Sequence, residues 1–149
     1  MNNRFFNRSL AGGALLDIGV YALSFVRYFM SCQPDQIASQ VRLAPTGVDE
    51  QAGILLQNRE GEMATLSLSL HAKQPKRGMA AFDKGYIEIY DYPRADTATI
   101  TYTADGHQDV LQAGSQSKAL QYEIRDMEDA VAHGARACAR LIRKMSWTS

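Results

Sequence analysis

The sequence predicts an α+β fold, a two-layer sandwich in which a large, mostly antiparallel open sheet of about six strands carries helices on one face. Three observations predict it. Residues 14–31 have helical period, residues 37–112 alternate with a period of two between turn signals, and residues from 122 or 123 to 144 return to helical period. At 149 residues the chain fits one domain, 1–149, of a size that buries roughly 70% of its unfolded surface without disulfide staples.

In the first helix, Leu15, Ile18, Ala22, Phe25 and Phe29 form one apolar stripe, and Leu16, Val20, Leu23 and Met30 a second. A helix apolar on more than half its circumference is expected to be covered on two sides. Gly12 and Gly13 lead into it, and Cys32-Gln33-Pro34-Asp35 ends it, because the residue before proline avoids helix.

Strands are expected at 37–43, 52–56, 63–70, 86–92 and 97–103, with further short ones near 109–112 and 79–82; Gly-, Asp- and Pro-containing turns separate them. Their faces differ. Ala64, Leu66, Leu68 and Leu70 alternate with Thr65, Ser67 and Ser69, and Ala98, Ile100 and Tyr102 with Thr97, Thr99, Thr101 and Thr103. The apolar face wants helices; the Ser/Thr face suits either solvent or a second layer. The last helix carries Ile124, Met127, Val131, Ala135, Cys138 and Leu141 or Ile142 on one stripe, with acids early and bases late, as the helix dipole favours.

Sixteen basic residues balance sixteen acidic ones, which leaves no electrostatic footprint for nucleic acid or an anionic membrane. Asp17 and Arg27 interrupt the longest apolar run, no signal-peptide pattern precedes it, and two distant cysteines, Cys32 and Cys138, suit a reducing compartment. The expected location is the cytoplasm. There is no glycine-rich phosphate loop, no zinc-ligand spacing around His71, His107 or His133, and no nucleophile-elbow motif.

What remains is a carboxylate and a phenol four residues apart on an apolar helix. Asp17 and Tyr21 share a face. An ionised carboxylate there needs a partner: either a neighbouring backbone group or arginine, with Tyr21 an amphipathic core residue, or a reacting group that the pair serves.

Four ordered segments, LAGGALLDIGVYALSF, TGVDEQAGILLQNREGEMATLSLSL, KGYIEIYDYPRADTATI and YEIRDMEDAV, resemble the C-terminal domain of the Gfo/Idh/MocA family of NAD(P)-dependent oxidoreductases, in its dihydrodiol and xylose dehydrogenase branch. The resemblance implies a parent with a Rossmann domain for NAD(P) and an α+β domain that shapes the substrate site and forms a homodimer through its open sheet face. It implies catalytic roles for Tyr21 and Asp17, with Gly12, Gly13 and Arg94 beside the substrate, a sugar, polyol or dihydrodiol. Tyr21 would exchange a proton with the substrate hydroxyl, helped by a lysine of the Rossmann domain. This chain carries no Rossmann strands and no Glu-Lys-Pro, so it is expected to bind no cofactor and to be inactive alone. The other reading is a non-catalytic binding or scaffold protein derived from that domain. Sugar binding without redox chemistry is a third, with Asp49, Gln51, Tyr90, Asp91 and Arg94 as hydroxyl partners.

Overall fold

A computed structural model describes residues 3–134. The chain divides into two compact units, Met1–Gln74 and Pro75–Ser149. The α+β class holds, with every strand pair antiparallel. Among the described residues seven strands form two hydrogen-bonded sheets, where a single sheet of about six was expected. The break falls at residues 70–76, where Pro75 stands in place of a tight hairpin.

In the first unit, β1 (Pro34–Leu43), β2 (Asp49–Asn58) and β3 (Met63–Ser69) form a meander. Alternation puts Ala52, Ile54 and Leu56 of β2 and Ala64, Leu66 and Leu68 of β3 on one face, and α1 (Val20–Phe29) packs there through Ala22, Leu23 and Val26. With Ala14 and Met30 these residues are the core. By the pairing register Ile37 and Val41 of β1 share that face, yet both are exposed. Along the helical run, Leu16, in the turn before α1, and Val20 are also exposed. The helix is therefore covered on one side, not the expected two, because a three-stranded sheet meets only one flank of it.

The predicted continuous helix is also interrupted. Leu15–Gly19 is a π turn, and Gly19 is buried where a Cβ would stand 3.0 Å from Leu15 Cδ1 and 3.1 Å from Leu68 Cδ1. The whole run Arg8–Phe29 is long and apolar enough, by length and composition, to cross a membrane, so Asp17 and Arg27 do not shorten it as expected. The face made by Ile18, Ala22 and Val26 lies on the sheet.

Asn58, 1% exposed, ends β2 and organises the next turn. Its Oδ1 accepts from the backbone N–H groups of Glu60 (3.1 Å) and Glu62 (3.0 Å), while its Nδ2 donates to Glu62 Oε2 at 2.6 Å. The same Glu62 oxygen accepts from the N–H (2.8 Å) and Oγ (2.9 Å) of Ser31, just past α1. The turn and the end of the helix are thus tied together.

In the second unit, β4 (Arg77–Phe82), β5 (Gly85–Tyr90), β6 (Thr97–Tyr102) and β7 (Gln108–Gln112) follow in order, then α2 (Ala119–Ala132). The helix starts three residues before the predicted Tyr122. Of its predicted stripe, Ile124, Met127 and Val131 are exposed, because periodicity reports which face is apolar and not what covers it. Ala135, Cys138 and the rest of that helix lie outside the described residues.

Tyr102 Oη donates to Asp109 Oδ2 at 3.1 Å, and His107 Nε2 lies 3.0 Å from Asp109 Oδ1. The hydrogen bond and then the charge of Asp109 raise the Tyr102 phenol above its ordinary 10.0. The folded state therefore favours the neutral phenol, and any stability this gives is present below pH 10 and lost as pH rises through the raised value.

Asn58→Ala removes the acceptor of two turn amides and is expected to cost about 1–3 kcal/mol in urea unfolding. Asp109→Asn is expected to move the Tyr102 titration, followed by phenolate absorbance against a Tyr102→Phe background, down toward 10.

Candidate functional site

The site begins with how the chain reaches the helix. Two 3₁₀ turns, Arg4–Phe6 and Arg8–Leu10, fold back on the glycine pair. Gly12 N–H donates to Asn7 O and Gly13 N–H to Phe5 O, both at 2.9 Å. A Cβ on Gly12 would stand 2.6 Å from the Arg4 and Phe5 carbonyl oxygens, and one on Gly13, at φ 128°, would run into the Asp49 carboxylate. Both positions require glycine on steric grounds.

Asp49 explains the second approach. Its Oδ2 accepts from the Leu15 N–H at 2.6 Å, answering an orphan amide at the start of the helical run with a side chain 34 residues away. The carboxylate read from alternation as a hydroxyl partner is therefore engaged as a helix cap.

Asp17 finds an arginine. Arg4 Nη2 stands 3.1 Å from its Oδ1, with the carboxylate side chain 25% and the guanidinium side chain 69% exposed, and the same guanidinium lies over the Phe5 ring at 4.8 Å. Thirteen residues separate the two, and no local pattern marks Arg4 as the partner. Tyr21, in the first turn of α1, is 51% exposed. So Gly12, Gly13, Asp17 and Tyr21 gather where the helix begins. Arg94 belongs to the second unit, in the turn after β5.

A second charged cluster lies at the far end of β2 from Asn58. Glu50 is 6% exposed and is held by Arg42 Nε at 2.8 Å and His71 Nε2 at 3.2 Å. The His71 ring meets Phe6 with centroids 4.9 Å apart, so this clasp also fixes the 3₁₀ turn that carries Arg4.

The Gfo/Idh/MocA C-terminal domain model matches residues 1–90. The chain belongs to the Gfo/Idh/MocA family. Within it, the chain is similar to trans-1,2-dihydrobenzene-1,2-diol dehydrogenase of Xenopus tropicalis, 37% identical over 87 residues, which are 58% of this chain and 26% of that protein. It is similar to the Xenopus laevis protein, 35% over 98 residues, covering 65% and 30%. It thus spans a quarter to a third of these curated relatives. Among solved structures it resembles the Caulobacter crescentus aldose-aldose oxidoreductase complexed with glycerol, with TM-score 0.73 and 20% identity over 90% of this chain and 42% of that one. A levoglucosan dehydrogenase in complex with NADH and levoglucosan gives TM-score 0.76 at 15% identity, covering 95% and 47%. These likenesses show the fold.

Asp49→Ala removes the cap and is expected to cost about 1 kcal/mol, within a range of about 0.5–2, by urea denaturation. Gly13→Ala is expected to destabilise by more than about 1 kcal/mol, since the side chain meets both a positive φ and a carboxylate.

Proposed function

We propose that this chain is the substrate-binding and dimerising domain of an NAD(P)-dependent oxidoreductase acting on a sugar, polyol or dihydrodiol hydroxyl, with Tyr21 and Asp17 as its catalytic pair. One observation carries the reading. The Tyr21 phenol is half exposed in the turn after Asp17, and the apolar Leu16 and Val20 beside it are exposed as well. An uncovered apolar flank around a polar tip marks a surface that a further domain or ligand covers.

The nucleotide itself does not fit the residues of this chain. The amide of Leu15, the natural anchor for a phosphate at the start of a helix, is taken by Asp49, whose charge repels a pyrophosphate. The glycines close onto the backbone of residues 4–7. The cofactor would accordingly be held by a Rossmann domain, and this chain's part is proton exchange and substrate positioning. Tyr21 Oη would pass a proton to or from the substrate oxygen. Asp17, oriented by Arg4, would hold an adjacent hydroxyl.

The homodimer is supported by the open face of the first sheet, where Thr65 and Ser67 are exposed with Leu55 and Met63. A scaffold role has one observation in its favour, the Arg4–Asp17 ion pair, which satisfies Asp17 without any substrate.

In an enzyme completed with a matching Rossmann domain, Tyr21→Phe is expected to lower kcat by about 10²–10⁴. Unchanged turnover sinks the catalytic role. Light scattering is expected to give the mass of a dimer at micromolar concentration; a monomer overturns the sheet-face interface.

A further inference from the structure

Among the described residues β1 has a hydrogen-bonded neighbour on one side only. Along its other edge every residue after Pro34 is exposed. Natural sheet edges are blunted by being short, by lysine or proline, by bulges or by a covering element. Here Pro34 and Asp35 stand at one end and Arg42 near the other, and the stretch between, Gln36 to Val41, carries neither charge nor proline. The register with β2 is unbroken from Gln36 to Arg42. Ile37 and Val41 lie opposite the core residues Leu56 and Ala52, yet both are more than half exposed.

We propose that this edge pairs, antiparallel, with the same edge of a second copy of the chain, about a two-fold axis at Ser39. The strand is self-complementary in that register. Directly opposed residues of an antiparallel pair share a face. Ile37, Ser39 and Val41 alternate onto the helix side, so they can oppose only one another, and the axis passes through a residue. At Ser39 it sets Ile37 against Val41 of the second copy, and Val41 against the Ile37 of that copy, so both apolar side chains gain a neighbour at once. An axis at Ala38 would set Ile37 against Ser39. One at Gln40 would set it against Leu43, past a shift in register.

A peptide of either charge finds no complement between Asp35 and Arg42, whereas the spacing of Ile37 and Val41 matches itself. The contact uses the same edge on both copies and closes at two, joining two three-stranded sheets with both α1 helices on one face. A single strand pair buries less than the roughly 1,200 Å² of a stable interface. The association is therefore weak, with Kd on the order of 0.1 mM, and forms above the concentrations expected for sheet-face dimers. It engages the edge of the sheet, not its open face, and does not rest on the catalytic reading.

The test is oxidative cross-linking of the 149-residue chain with Cys32→Ser and Cys138→Ser, carrying Ser39→Cys, Ala38→Cys or Gln40→Cys, at about 0.5 mM protein and again at about 5 µM. Opposed Cα atoms lie about 4.5 or 5.5 Å apart, within the reach of a disulfide, which ends near about 7 Å. Only position 39 meets itself in the proposed register. Ser39→Cys is expected to link at least about tenfold faster than either neighbour at the high concentration, and to lose that lead on dilution. Adding Ile37→Lys with Val41→Lys sets like charges opposite each other at exposed positions and is expected to slow linking at least about tenfold, with the circular dichroism spectrum unchanged. Ile37→Lys with Val41→Glu is expected to restore it. Leu55→Lys, on the open face, is expected to break a face-to-face dimer and leave the Ser39→Cys link in place, so the two interfaces fail separately. Equal rates at the three positions overturn the proposal. So does linking that survives the double lysine exchange, or a Val41→Glu exchange that restores nothing.

Discussion

The hydrogen bond from the Leu15 amide to the Asp49 carboxylate sets the position of everything at the helix start. The N-terminus of a helix leaves donors without intrahelical partners, and here the acceptor comes from the first residue of β2. The bond fixes where the helical run meets the sheet, and through Gly13, which leaves room for that carboxylate, it fixes the path of the preceding turns. At the other end of the same strand, Asn58 and Glu62 hold Ser31. One strand therefore anchors the helix at both ends, and the exposure of Tyr21 follows from that placement.

The polar contacts of the first unit are arranged in a related way. Glu50 holds Arg42 and His71, His71 meets Phe6, and two residues earlier Arg4 reaches Asp17. The 3₁₀ segment is thereby attached to β2 and to the helix by separate contacts. Exposed ion pairs such as Arg4–Asp17 add little stability, so their effect is one of orientation: the carboxylate is held by the segment that the glycines allow to pack closely. The hydrophobic contribution comes from the face joining Ala52, Leu56, Leu66 and Leu68 to the helix.

Much of this was legible in the sequence wherever a local pattern carried it. Period-two alternation located all seven strands to within a few residues, and Asp91, with its left-handed backbone, ended β5 two residues before the predicted Tyr92. Partners distant along the chain were not legible. Arg4 lies thirteen residues from Asp17 and Asp49 thirty-four from Leu15, and no short-range period encodes either pairing. The π turn escaped for a similar reason, since it depends on how closely Gly19 approaches Leu68. Tyr90, Asp91 and Arg94 were visible as polar residues in a turn; their convergence on one cleft with Glu88 and Thr99 needed the strand register. The division into two sheets is a question of which strands bond, on which alternation is silent.

The π turn at Leu15–Gly19 stores slack. A π turn holds one residue more than an α turn, while the helix around it stays moored through Leu15 and Ser31. Losing one residue within that turn would tighten it to α geometry and leave the side chains beyond it facing as they do now, with both moorings kept. Chain length at the mouth of this helix can thus change by one without lifting Ala22 and Val26 off the sheet.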